Sequence, residues 1–218
     1  IHTEAKTTAA AAVPEPVAQT FNRDAYACVQ TEADLDAWIS EARLAGVIAV
    51  ETETDALDSI GAGLVGVSLA TGPNRACYIP LAHGGTDLFS DAPKQLALAT
   101  AIAKLKVLLE DPSVLKVGHN IKYDLNVLER QGIMVAPIDD TMVMSFDLDA
   151  GKRNHGMDEL ALTHFNHACI SFKDVCGSGK SQLTFNQVNL TDATRYAAED
   201  ADVTLRLWHW LKPRLSAE

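Results

Sequence analysis

One nine-residue stretch decides the fold: residues 47–55 read VIAVETETD. Its first four residues are all apolar, which is typical of a strand that is buried on both faces. Glu51 and Glu53 follow directly and lie two positions apart, so a pleated strand turns both carboxylates to the same face. In open α/β sheets, ligands bind beyond the carboxyl ends of such strands. From spacing alone, an ordinary solvated strand end explains the pattern equally well.

The segments around this strand predict an α/β fold. Thr31 is typical of a residue that begins a helix, and Gly46 of one that ends it, just before residue 47. Further strands are predicted over residues 64–70, 75–79 and 114–117, and helices over 94–109, 121–131, 140–148, 157–165 and from about 191 to beyond 210. Three early strands, followed by strands that alternate with helices, indicate a mixed central sheet flanked by helices.

The composition excludes several classes of protein. Eighteen Lys and Arg residues against 29 Asp and Glu residues give a formal net charge of −11. Such an excess argues against a generic basic surface for nucleic acid or anionic membranes, but it suits carboxylates gathered to hold cations. No apolar run approaches the roughly 18 residues of a membrane span, and we expect no signal peptide. The four cysteines show no close pairing, so we expect reduced thiols, no membrane partner and a cytoplasmic location.

The first twenty residues differ in composition from the rest. Residues 1–20 contain a run of alanines and two nearby prolines, which is typical of a flexible linker from an upstream domain. Residues 21–218 are predicted to form the folded domain. Because the chain begins with Ile1 rather than Met, we interpret it as a fragment of a longer protein.

Three patterns resemble known motifs but lack features that those motifs require. Residues 61–66 read GAGLVG, but a strand pattern rather than a helix follows, so these glycines are predicted to lie in a hairpin loop. Residues 177–181 read GSGKS but lack the first glycine of a phosphate-binding loop, since Asp174 occupies that position. His164, His167 and Cys169 lack a fourth zinc ligand at the usual spacing, so the histidines are predicted to lie on the surface.

Two later segments add carboxylates to the pair on the strand. Asp124 lies one turn into the helix after residues 114–117, where the sequence by itself predicts an exposed acid. Tyr196 and Asp200 are four residues apart and share one helical face, which apolar residues extend, so this face is predicted to point inward. An inward tyrosine bonded to a nearby acid is the alternative interpretation. Four carboxylates in one pocket would repel strongly unless divalent cations neutralised them.

Three short segments together resemble a known family. Residues 51–57 (ETETDAL), 119–124 (HNIKYD) and 196–202 (YAAEDAD) resemble the three exonuclease motifs of the bacterial DNA polymerase I family, in its 3′–5′ proofreading domain. The likeness runs from about residue 47 to 211 and includes QLTFNQ at 182–187. The Tyr-x-x-x-Asp spacing matches the tyrosine-bearing branch of the DEDD exonucleases.

The resemblance implies a ribonuclease H-like fold and a hydrolytic activity. The expected reaction is cleavage of the 3′-terminal phosphodiester of single-stranded or frayed DNA, with two divalent cations, Mg²⁺ or Mn²⁺. Four residues correspond to the metal ligands: Glu51, Glu53, Asp124 and Asp200. Tyr196 and Glu53 would orient the attacking water. Three residues correspond to substrate contacts: Leu57 beside the terminal bases, Phe172 stacked on them, and Asn120 near the strand.

The resemblance also implies covalently linked partner domains, and the sequence departs from the family pattern at two positions. A polymerase domain and a 5′-nuclease domain would be covalently linked to this one, and we expect a monomer. The family has Asp where this chain has Glu51, and commonly Gln where it has His119. Because that first acid bridges both metals in the family, a catalytically impaired or silent structural domain is the alternative function. A further alternative function is that of an RNA 3′-exonuclease of the ribonuclease D type, which shares the motifs. Two of the expected substrate contacts have a structural alternative: Leu57 would anchor its loop, and Phe172 would be a core aromatic residue.

Overall fold

A computed structural model describes residues 20–84, 92–151 and 154–215. Within these ranges, six strands form one sheet: β1 (Ala27–Cys28), β2 (Val47–Thr54), β3 (Leu64–Gly72), β4 (Arg75–Pro80), β5 (Leu115–Gly118) and β6 (Ile138–Asp140). Their order across the sheet is β1-β4-β3-β2-β5-β6. β3 runs antiparallel to β2 and β4, and the remaining neighbours pair in parallel. The predicted mixed sheet is confirmed.

Helices cover the sheet. The described residues form seven α-helices: α1 (Glu32–Ala45), α2 (Leu98–Leu109), α3 (Lys122–Glu129), α4 (Thr141–Asp149), α5 (Met157–Phe165), α6 (Phe172–Cys176) and α7 (Leu190–Leu215). Short 3-10 helices occur at Arg23–Ala25, Gly179–Ser181 and Phe185–Gln187. No helix in the described ranges is both long and apolar enough to cross a membrane.

Most element boundaries agree with the sequence prediction. The Thr31 side chain accepts a hydrogen bond from the amide of Asp34, and Gly46 ends α1 with a φ of 70°. α2 begins at Leu98 rather than at residue 94. β1, β6 and α6 were not predicted, because elements of two, three and five residues show no hydrophobic periodicity.

The glycine pattern at residues 61–66 only partly follows its prediction. Gly61 and Gly63 lie in the loop between β2 and β3, as expected for a hairpin. Gly66 instead lies inside β3, where the ring of Tyr78 covers its backbone. A Cβ at this position would stand 2.2 Å from the Tyr78 hydroxyl oxygen. Close approach of the aromatic ring, and not a turn, therefore requires this glycine.

The two faces of the sheet pack against different helices. Ile48 and Val50 of β2 join the larger core with residues of α1, α2 and α3. Ala49 faces the other way and packs with Ala198 and Ala201 of α7. These small side chains let α7 lie close to the sheet, so the next two residues on this face of β2, Glu51 and Glu53, point toward α7.

Candidate active site

The two glutamates of β2 lie in the interior. Glu51 is 8 % exposed and Glu53 is 9 % exposed. Oε1 of Glu51 accepts hydrogen bonds from the Thr204 hydroxyl on α7, at 2.7 Å, and from the His119 backbone amide after β5, at 2.9 Å. This burial excludes the ordinary solvated strand end that the spacing alone allowed.

Asp124 of α3 is placed against the same strand. Its Oδ1 accepts hydrogen bonds from the backbone amide of Thr52, at 2.8 Å, and from the Thr52 hydroxyl, at 2.6 Å. Asp124 is only 4 % exposed, so the exposed helical acid predicted from the sequence is wrong. The helix begins just after β5, which pairs with β2, and this topology brings Asp124 beside the glutamates.

Tyr196 and Asp200 project from α7 into the site. Asp200 lies one turn after Tyr196, close enough for its charge to act on the Tyr196 hydroxyl. The Tyr196 ring packs between two aromatic rings, with centroid distances of 5.6 Å to Phe185 and 6.2 Å to Phe172. Val203 on the same helix is fully buried. The face predicted to point inward therefore does so.

An aromatic cluster behind Tyr196 was not predicted from the sequence. Phe185 contacts the rings of Tyr78 and His83. The Nε2 atom of His83 lies 2.8 Å from the Tyr78 hydroxyl, and its Nδ1 atom lies 3.1 Å from the Val188 carbonyl oxygen. These bonds tie the segment that follows residue 181 to the sheet. The only sequence signal was the QLTFNQ likeness, which marked the segment without its contacts.

The four carboxylates influence one another electrostatically. Burial raises the pKa of Asp124 to about 7. Burial, and then the charge of Asp124, raises the pKa of Glu51 well above its ordinary value. Burial is also the main cause of the raised pKa values of Glu53 and Asp200. The next contribution comes from the charge of Asp200 for Glu53, and from the charge of Glu199 for Asp200. The charge of Asp200, followed by burial, raises the pKa of Tyr196. Without a cation, these carboxyl groups therefore hold their protons more strongly than isolated ones do.

The donor set fits hard divalent cations. All four groups offer carboxylate oxygens, and among the described residues no Lys, Arg or His forms an ion pair with any of them. Yet in the same ranges no three Asp, Glu, His or Cys side chains are placed to hold one ion together. Hydrogen bonds hold Oε1 of Glu51 and Oδ1 of Asp124, which leaves the second oxygen of each carboxylate for a cation.

A cleft of about 490 Å³ opens beside Glu53. Leu57, Tyr123, Phe172, Leu183 and Tyr196 contribute to its lining. Leu57 is 95 % exposed and Phe172 is 38 % exposed, so neither is the buried core residue of the structural alternatives. Asn120 is not among the lining residues. It lies just before α3 with a φ of 62°, and its side chain accepts a hydrogen bond from Lys122.

Other residues singled out in the sequence have structural roles. Asp55 accepts a hydrogen bond from the Gly63 amide at 2.6 Å and closes the β2–β3 loop. His167 is not on the surface as predicted, because its Nε2 bonds to the fully buried Glu199 at 2.8 Å. All four cysteines are free thiols. Residues 177–181 contain a short 3-10 helix, Gly179–Ser181, and no α-helix follows directly, which agrees with rejecting a phosphate-binding loop.

Known proteins resemble this chain over most of its length. A family model described as 3′–5′ exonuclease matches residues 26–216. DNA polymerase I of Rhizobium leguminosarum is 49 % identical over 90 % of this chain, and that of Pseudomonas aeruginosa is 44 % identical over 88 %. The chain spans only 21 % of each of these relatives.

Solved structures share the fold. Escherichia coli RNase D, an exoribonuclease, superposes with a TM-score of 0.62 and 20 % identity, covering 88 % of this chain and 45 % of RNase D. Brucella melitensis NrnC with bound Mg²⁺ gives a TM-score of 0.59 and 24 % identity, over 88 % of this chain and 80 % of NrnC. These neighbours confirm the predicted ribonuclease H-like architecture. On the family match and the identity to its relatives, the chain belongs to the 3′–5′ exonuclease domains of the DNA polymerase I family.

Proposed function

We propose that this chain removes nucleotides from the 3′ end of single-stranded or frayed DNA by hydrolysing the terminal phosphodiester, as a proofreading domain does. The observation that carries the proposal is a group of four carboxylates beside Tyr196, three of them buried and Asp200 half-buried, next to a cleft with exposed hydrophobic side chains. A stacking surface of this kind tolerates any base, which suits an enzyme that must remove whichever nucleotide was misincorporated.

Exonucleases of this family depend on divalent metal. We assign two ions, Mg²⁺ or Mn²⁺, to four ligands: Glu51, Glu53, Asp124 and Asp200. Bound there, the ions would supply an activated water and would neutralise charge on the phosphate. The mutual repulsion of the carboxylates favours loading, since cations remove the repulsion that burial strengthens.

The chain's own residues orient the reactants. The Tyr196 hydroxyl and the Glu53 carboxylate would hold the attacking water by hydrogen bonds, and the aromatic contacts of Tyr196 fix its ring. Phe172 would stack on the terminal base while Leu57 wedges beside it, and Asn120 would lie near the strand. Because Phe172 contacts the Tyr196 ring, base stacking and water placement share one support.

The relatives suggest the setting of this activity. They are about five times longer than the matched region, so we propose that polymerase and 5′-nuclease domains are covalently linked to this one in the parent chain. In this proposal residues 1–20 are the linker, of which residues 1–19 lie outside the described residues, and residues 21–218 are the exonuclease domain. We propose a monomer that acts in the bacterial cytoplasm, with no membrane partner.

The test is digestion of a 5′-labelled single-stranded DNA oligonucleotide by this chain. We expect shortening from the 3′ end in Mg²⁺ and none in excess chelator, with Asp124→Asn as an inactive, nearly isosteric control. Absence of cleavage in both Mg²⁺ and Mn²⁺ would favour the silent structural domain. Faster cleavage of an RNA oligonucleotide of the same sequence would favour the ribonuclease D type of activity.

A further inference from the structure

We propose that Thr204 is a positioning residue that fixes the carboxylate of Glu51 for cation binding. The inference rests on the function proposed above and deepens it. Thr204 is fully buried on α7, and its hydroxyl donates a 2.7 Å hydrogen bond to Oε1 of Glu51. No side chain other than this hydroxyl bonds to that oxygen among the described residues, and the second donor is the His119 amide.

The two bonds leave Glu51 with one oxygen for a cation. A carboxylate oxygen offers about two lone-pair sites, and the Thr204 hydroxyl and the His119 amide use both sites of Oε1. Oε2 is therefore the oxygen left to face the carboxylates of Asp124 and Asp200. The hydrogen bonds set the direction of Oε2, because the carboxylate plane is fixed once Oε1 is held at two points.

The position of Thr204 follows from the helix that bears Asp200. Thr204 lies four residues, about one turn, after Asp200, so both side chains are on the face of α7 that packs on β2. Any shift of α7 that moves one of the two moves the other as well. The helix thereby couples the placement of a direct ligand, Asp200, to the orientation of Glu51.

Glutamate needs such support more than aspartate does. It has one more rotatable bond, and freezing a flexible side chain costs conformational entropy. Within the described residues, Glu53 has no side-chain hydrogen bond, so Glu51 is the anchored member of the pair on β2. A hydrogen bond from a neighbouring hydroxyl to a metal-binding carboxylate typically contributes 10- to 100-fold in metal affinity.

The experiment is calorimetric titration of the 218-residue chain with Mn²⁺ and with Mg²⁺. Thr204→Val keeps the branched shape but removes the hydroxyl, and we expect about 10- to 100-fold weaker cation binding. Thr204→Ser keeps the hydroxyl and should restore affinity to within about threefold of the parent. Thr194→Val is the matched control, because Thr194 is buried on the same helix but lies beside the Cys28 thiol rather than a carboxylate.

A double-mutant cycle tests whether Thr204 acts through Glu51. Asp at position 51 is shorter by on the order of 1 Å, so its carboxylate cannot hold the same bond. In the Glu51→Asp background, Thr204→Val should therefore change cation affinity by less than about threefold. Circular dichroism checks folding, and Thr204→Ala replaces Thr204→Val if the latter fails to fold.

The outcomes separate the two proposals. Parent-like cation affinity in Thr204→Val, or an equal loss in the Glu51→Asp background, would show that Thr204 does not position Glu51. A parent chain that binds neither cation would instead overturn the proposed function. Weakened binding in Thr204→Val, restored in Thr204→Ser and absent from Thr194→Val, would support the positioning role.

Discussion

Glu51 differs from the aspartate of the resembling family by one methylene group, and the structure shows where the added length goes. The side chain reaches the Thr204 hydroxyl and the His119 amide, and both bonds are to Oε1. Compared with aspartate, glutamate keeps the negative charge but carries its carboxylate farther from the strand. At this scale, the proposed cation site depends on the alignment of a single carboxylate oxygen.

The first prediction concerns this added length. Glu51→Asp should raise single-stranded DNA hydrolysis in Mg²⁺, since a displacement on the order of 1 Å can cost roughly 10²-fold in a reaction that depends on alignment. Glu51→Ala should abolish hydrolysis because it removes the ligand. Rates of the parent and both variants, measured side by side in Mg²⁺ and in Mn²⁺, check this. No gain with Asp and no loss with Ala would remove Glu51 from the metal site.

The second prediction concerns the hydroxyl of Tyr196. Tyr196→Phe keeps the ring contacts with Phe172 and Phe185 and should lower the rate of hydrolysis by about 10²-fold, the usual contribution of one positioned proton-bearing group. Cation affinity from calorimetry should remain at the parent value. A variant that cuts at the parent rate would make Tyr196 a packing residue only.

At the scale of elements, α7 organises two sides of the site. One face carries Tyr196, Asp200 and Thr204 toward β2. Glu199, also fully buried, holds the segment before α6: it accepts bonds from Arg23 Nε at 2.7 Å and from the Ile170 amide at 2.7 Å, and it contacts His167. That segment leads directly to Phe172, so one helix both carries Asp200 and holds the segment that precedes Phe172.

The third prediction tests this anchoring. Glu199→Gln keeps the size of the side chain but loses its charge and one acceptor, so we expect a loss of about 1–3 kcal/mol in the free energy of unfolding. Asp24→Asn is the control, because it breaks the exposed ion pair with Arg195 and should cost at most about 1 kcal/mol. Urea denaturation of the three proteins gives the comparison. Equal losses in both variants would show that the Glu199 network is no stronger than a surface pair.

At the scale of the whole molecule, the net charge of −11 and the buried carboxylates make stability depend on pH and on cations. Folding raises the pKa of Asp124 from 3.8 to about 7, so between these values the folded state binds more protons than the unfolded state. Stability without metal therefore falls as pH rises through this window, and the loss is complete above about pH 7. The raised pKa values of Glu51, Glu53 and Asp200 act in the same direction.

The fourth prediction follows from that sign. Mg²⁺ should raise the melting temperature more at about pH 8 than at about pH 5, where protons compete for the carboxylates. At a concentration near 100 Kd the gain corresponds to about 2.7 kcal/mol, or roughly 5–10 °C for a domain of this size. Asp124→Asn should lose most of the gain at the higher pH. An equal gain at both pH values, or an undiminished gain in Asp124→Asn, would place Mg²⁺ elsewhere.

The sequence by itself determined the elements whose patterns are local. The buried strand at residues 47–50, the caps of α1 and the inward face of α7 follow from hydrophobic periodicity and backbone chemistry. The likeness of three short motifs then indicated the family and the residues of the site. Short elements such as β6 and α6 were not predictable, since a few residues carry no period.

Only the tertiary structure decided how the side chains of the site are held. Asp124 is buried because β5 pairs with β2, and the sequence around it predicts an exposed acid. Thr204, Thr52 and His83 act through hydrogen bonds to residues far away in the chain, at separations of 153, 72 and 105 residues. Burial and long-range hydrogen bonds depend on how the chain closes on itself, and this is why the motifs indicate which carboxylates belong to the site but not which donors hold them.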